Sequence, residues 1–125
     1  FIYAGHESIL VFDQNKNYEY IKSEMPPIGI VKYFTESMVK STTMNLKDKT
    51  FVVYTDGVTE GYLKNGKELE AEGVQKIINN IENVTPKNIV LSIEKELNWG
   101  SEKLRDDITC MAINIKNTEL IKKNK

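Results

Sequence analysis

Several things are scarce in this sequence, and each scarcity excludes a class of protein. There is one cysteine, Cys110, in 125 residues. It cannot close an internal disulfide, so a reducing, cytosolic setting is the simpler expectation. There is no excess of either charge: 17 Lys and Arg stand against 18 Asp and Glu, a net charge of −1. Nucleic acid is thereby disfavoured as the main partner, because binding along phosphates draws on a clear basic excess. No apolar run approaches the roughly 20 residues that a membrane-spanning helix needs. Internal repeats and low-complexity tracts are absent as well. What remains is 40% hydrophobic and 28% charged, the composition of a globular domain rather than a disordered chain. The length suits one domain of ordinary size, which buries a smaller share of its surface than a larger protein would.

The chain opens directly on the apolar, β-prone "FIYAGH", with no initiator methionine, cap or linker. That opening predicts a portion of a larger domain, spanning residues 1–116. The closing residues, 117–125, are polar and basic and are expected to form a solvated tail.

Hydrophobic patterning places the elements. "FIYA" and "SILVFD" predict short strands, "QNKN" a turn and "YEYIK" a returning strand, which makes a hairpin over Ser8 to Lys22. "MPPIGIV" predicts a loop, since Pro26 and Pro27 cannot donate to a central ladder. "KSTTMNL" and "FVVYT", separated by "KDK", suggest a second hairpin. Beyond Gly61 the period changes. Val74, Ile77, Ile78 and Ile81 recur at helical spacing, and Thr85 followed by Pro86 is an N-cap and first-turn signal for a second helix bearing Ile89, Val90, Ile93 and Leu97. "NWGSEKLRDD" predicts a loop and "ITCMAINI" a final strand. The order strands, two helices, strand predicts an α+β fold with helices layered on a largely antiparallel sheet.

Two acidic positions stand out. Asp56 follows the apolar run Phe51–Tyr54, and Asp106 with Asp107 precedes the last strand. If those strands are antiparallel neighbours, both carboxylates come to one edge of the sheet. Like charges held together there repel unless a cation lies between them, and hard oxygen donors of this kind suit Mg²⁺ or Mn²⁺. The plain alternative is that Asp56-Gly57 is a turn and that the paired Asp is a solvated edge. Haloacid dehalogenase-like phosphatases also put Asp-Gly after an apolar strand, but they need a nucleophilic Asp two residues before the second acid, where this chain has Tyr54.

"VVYTDGVTE", two helices and then "DDITCMAI" together resemble the PPM-type (protein phosphatase 2C-like) metal-dependent phosphatases. The branch that looks closest is the bacterial one of stage II sporulation protein E and the sigma-factor regulator phosphatases. "YAGH" resembles the branch's "NAGH" element and "PPIGI" its short Gly-containing loop, in the family's order from about Ile2 to Ile115. The resemblance implies a β-sandwich flanked by helices, with two Mn²⁺ or Mg²⁺ ions at one end. It implies that Asp56 of the "DG" motif and Asp106 of the "DD-x-T" motif are metal ligands, with Gly57 and Asp107 supporting them and His6 near the site. On the residues alone, a single His after Gly serves as readily in a turn or a hydrogen bond. The implied reaction is hydrolysis of phosphoserine or phosphothreonine on a regulatory protein by metal-activated water. The implied partner is an anti-anti-sigma-factor-like protein. The absence of a Cys-x5-Arg motif agrees, and leaves Cys110 as a small buried residue.

The chain departs from the family pattern at Tyr3 and Ser8, which replace Asn and Pro, and at Glu72-Gly73, which replaces Phe-Gly. The family's upstream "GD-x-x-G-H/K-G" element, which supplies a bridging carboxylate, has no counterpart before Phe1. The chain is therefore expected to be the C-terminal portion of such a domain. A second expectation belongs to a different class. A half sandwich exposes sheet edges and apolar faces, so the chain could act as a non-catalytic binding module or a homodimer.

Overall fold

The structure, a computed structural model, describes residues 4–97 and 106–116. The first predicted hairpin is present: β1 (Ile9–Phe12) and β2 (Tyr18–Ile21) pair antiparallel, with Phe12 opposite Tyr18. Its turn is closed by Asp13, whose carboxylate accepts from the backbone N–H of Asn15 at 2.8 Å and of Asn17 at 3.0 Å. The Asn17 side-chain amide donates to the same carboxylate and is the main reason its pKa lies below the ordinary value. Lys16, in the left-handed region at φ 59°, leaves this turn to reach α2 (Glu70–Asn79). Its Nζ donates to the carbonyl of Asn79 at 2.9 Å and of Ile78 at 3.4 Å. Carbonyls of a last helical turn have no partner within the helix, and a cation there complements the helix dipole.

β3 (Lys49–Tyr54) runs antiparallel to both β1 and β4 (Cys110–Ile115), giving a four-stranded sheet in the order β2-β1-β3-β4. Leu10 lies opposite Val52, Val52 opposite Ala112, and Tyr54 opposite Cys110. The expected second hairpin is therefore not formed. A strand has two hydrogen-bonding edges, and those of β3 are taken by β1 and β4, so residues 40–46 run largely exposed and add no named strand. The strand expected at "FIYA" lies mostly outside the described residues. Within them, Ala4 forms a single parallel bridge with Met25.

Because side chains alternate across a strand, one face of the sheet collects Leu10, Phe12, Val52 and Tyr54, all buried. Onto this face pack α2 and α3 (Pro86–Glu96) through Val74, Ile78, Ile89 and Ile93, at the helical spacing the sequence predicts. α3 starts as expected: Thr85 Oγ1 accepts from the Asn88 N–H at 3.1 Å and Pro86 occupies the first turn. This is the predicted α+β arrangement, with helices on one face of an antiparallel sheet. The opposite face carries Phe51 and Val53, half-buried, and Met111 and Ile113, exposed by 51% and 42%. The named strands make one layer, so the second layer of the expected sandwich is not among the described residues. Among the described residues no helix is long and apolar enough to cross a membrane.

Replacing Ile78, fully buried on the inner face of α2, by Asp would place an unpaired charge in the core. The cost, several kcal/mol or more, rivals the whole stability of a domain, about 5–15 kcal/mol. The Ile78→Asp chain should show no cooperative thermal transition by circular dichroism, whereas Lys87→Ala on the exposed side of α3 should melt like the parent.

Candidate metal centre

The candidate centre is built where β3 ends. β3 carries alternating buried residues up to Tyr54, and Thr55 continues the ladder one step further, its N–H donating to the Thr109 carbonyl at 3.0 Å. The backbone then turns into α1 (Asp56–Thr59), a single helical turn. Asp56 thus opens a short helix, and its own carbonyl accepts from the Glu60 N–H at 2.8 Å and from Thr59 Oγ1 at 3.1 Å. One carboxylate oxygen of Asp56 accepts from the Gly57 N–H at 2.9 Å.

On the neighbouring strand, residues 106–109 lead into β4. Asp106 mirrors Asp56: one carboxylate oxygen accepts from the following N–H, that of Asp107, at 2.7 Å. The two segments touch at Gly57, where a Cβ would overlap the Asp107 carbonyl oxygen. Glycine is required here by close approach, and its lack of a side chain is what lets the Asp106-Asp107 run cross the start of α1. The antiparallel neighbourhood of β3 and β4 therefore brings Asp56 and Asp106 to the same end of the sheet, and both residues are exposed to solvent.

β1 begins at this end too, since Leu10 pairs with Val52 and the strands run in opposite directions. His6, three residues before Ile9, is exposed on the incoming loop with Nδ1 3.3 Å from the Glu7 carbonyl. That loop is shaped by Gly5, whose φ of +64° and contact with the Pro27 ring leave no room for a side chain. The Gly5 N–H donates to Ser23 Oγ at 2.6 Å, and the close approach of Gly5 to Pro27 joins the "AGH" and "PPIGI" elements in space as well as in order. The structure thus places Asp56, Gly57, Asp106, Asp107 and the His6 loop at one end of the sheet.

The donor set fits a divalent cation in part. Each carboxylate spends one oxygen on a backbone N–H and has no further protein bond among the described residues, leaving an oxygen for an oxygen-preferring ion. Two carboxylates are fewer donors than a closed site requires, and no group of three or more His, Cys, Asp or Glu able to hold a metal occurs among the described residues. Cys110 offers no alternative chemistry: burial on the core face of β4 raises its pKa to about 11, so it stays a neutral thiol.

Sequence reasoning did not single out Thr55. Its Oγ1 donates to the Asp107 carbonyl at 3.1 Å and accepts from the Thr109 N–H at 3.0 Å. Nothing in the local pattern distinguishes this threonine from any other at a strand end, because its partners lie more than 50 residues away.

The Stage II sporulation protein E (SpoIIE) family pattern matches residues 1–116. No curated protein matches the chain. Among solved structures it resembles the PP2C phosphatase domain, with a regulatory-domain fragment, of the cell fate determinant SpoIIE from Bacillus subtilis. The TM-score is 0.66 at 16% identity, over 92% of this chain and 33% of that one. It also resembles the SiaA PP2C domain of Pseudomonas aeruginosa, with a TM-score of 0.62 at 18% identity, over 91% of this chain and 46% of that one. The Mn-presoaked phosphatase domain of Bacillus subtilis SpoIIE gives 0.59 at 18% identity, over 93% and 49%. At such identities the likeness establishes the fold, and the chain spans less than half the length of each structure. With the family pattern covering nearly all of its length, the chain belongs to the stage II sporulation protein E family.

Proposed function

We propose that this chain forms part of a metal-dependent protein phosphatase that hydrolyses phosphoserine or phosphothreonine on a regulatory protein. The observation that carries this reading is the β3–β4 pairing, which brings Asp56 and Asp106, 50 residues apart, to one end of the sheet. Family membership and the Mn-presoaked relative support it.

In this reading Asp56 and Asp106 each offer a carboxylate oxygen to Mn²⁺ or Mg²⁺, and the bonds from Gly57 and Asp107 hold those carboxylates in place. Ions bound there supply charge neutralisation at phosphorus and an acidified water. The remaining donors come from an upstream portion of the phosphatase, and the chain by itself holds metal weakly. Gly57 keeps the two acidic segments close, and Asp107 contributes its backbone rather than its carboxylate. His6, exposed on the loop that enters at the same end of the sheet, lies near the site in this reading. The substrate is a phosphorylated partner of the anti-anti-sigma-factor-like kind, met in the cytoplasm.

A second reading, a binding or dimerisation module, is favoured by the apolar back face of the sheet, with Met111 and Ile113 exposed. Sedimentation tests this face: a dimer that Ile113→Lys converts to monomer would support dimerisation through it, and a monomer at all concentrations would remove dimerisation.

The phosphatase reading is tested by supplying the upstream portion of a family phosphatase in fusion and measuring Mn²⁺ binding by calorimetry beside phosphoprotein hydrolysis. Asp56→Asn and Asp106→Asn should each remove metal-dependent turnover and weaken Mn²⁺ binding while the melting transition is kept. Asp107→Asn should be much milder. Normal turnover in either of the first two variants would overturn the ligand assignment, and equal loss in the third would move it to Asp107.

A further inference from the structure

We propose that Thr55 is a positioning residue of the metal centre: its side chain clamps the Asp106-Asp107 run against the start of α1 and thereby sets how Asp56 and Asp106 face a common cation. The proposal rests on the metal-centre reading above and adds to it a residue outside the ligand set.

Every polar group of Thr55 is engaged. Its N–H donates to the Thr109 carbonyl at 3.0 Å, and its carbonyl accepts from the Val58 N–H, the first bond of α1, at 2.9 Å. Its hydroxyl donates to the Asp107 carbonyl at 3.1 Å and accepts from the Thr109 N–H at 3.0 Å. One residue thus ends β3, starts the helical turn that carries Asp56, and grips the segment that carries Asp106 at two points. Regular pairing of β3 with β4 stops at Tyr54 and Cys110. Beyond it, the backbone bond from Thr55 and the two hydroxyl bonds continue the contact, replacing ladder with side chain where the strands part.

The second half of the clamp is Gly57. The Asp107 carbonyl that receives the Thr55 hydroxyl also lies where a Gly57 Cβ would stand. The hydroxyl draws this carbonyl inward and the glycine makes room for it. Both neighbours of Asp56 therefore meet the same atom of the segment leading into β4, and Asp106 is one residue from it.

A stabilising role and a positioning role are separable, because Asp107 and Thr109 are exposed and water can replace the hydroxyl. Thr55→Val keeps the shape of the side chain and removes both hydroxyl bonds, whereas Thr55→Ser keeps both. In the fusion phosphatase, Mn²⁺ affinity would be read by calorimetry and by the Mn²⁺ concentration that gives half-maximal turnover. Thr55→Val should weaken both by about 10- to 100-fold, the range for residues that hold metal ligands in place. Thr55→Ser should restore both to within a few-fold. A lowered melting temperature with unchanged Mn²⁺ affinity in Thr55→Val would overturn the proposal and leave Thr55 a structural residue. Failure of Thr55→Ser to restore affinity would overturn it too. Should Thr55→Val not fold, Gly57→Ala, which presses on the same carbonyl, gives the second reading, and unchanged Mn²⁺ affinity there would also overturn it. Asp56→Asn runs alongside: unchanged Mn²⁺ affinity in that variant would show that the metal-centre reading itself has failed.

Discussion

The antiparallel pairing of β3 with β4 is the constraint on which the rest of the structure depends. It joins residues 49–54 to residues 110–115 across the three described helices between them. Its register puts Val52 beside Ala112 and Tyr54 beside Cys110, so the inward faces of both strands meet α2 and α3 together. A slip by one residue would turn every one of those side chains to the opposite face. The same register determines that Thr55 meets Thr109, and hence that the acids on either side arrive at one end of the sheet.

Stability and chemistry occupy different parts of this arrangement. The core, from Leu10 through Leu97, lies between the sheet and the two long helices and contains almost no polar atoms. The candidate centre lies beyond it, where regular strand pairing gives way to a helical turn and an incoming loop. There, among the described residues, each carboxylate is held by the N–H of the next residue rather than by a lysine or arginine. A site held by backbone and hydroxyl bonds keeps its negative charge available to a cation, which a neighbouring ion pair would offset.

Lys16 shows the same economy at the far end of the sheet. The β1–β2 turn orders itself through Asp13 and then sends a lysine to the exposed carbonyls at the end of α2. Hairpin and helix are thereby tied without adding to the core, and the helix is held against the sheet whose other end carries the acids.

The sequence by itself determined the elements whose signals are local. The periodicity of Val74, Ile77, Ile78 and Ile81, the Thr85-Pro86 start of α3 and the Ser8–Lys22 hairpin all follow from spacing and capping within a few residues. Asp56 and Asp106 were visible too, through the apolar strands beside them and the motif order they complete. Tertiary structure alone decided which strands are neighbours. "KSTTMNL" has a strand's composition, yet β3 already has a partner on each edge, and no local pattern reveals that its edges are occupied. Tertiary structure alone also exposed Thr55 and the closeness of Gly57 to Asp107. Those contacts span 50 residues or more, and a hydroxyl that clamps two segments has no period, cap or spacing to announce it.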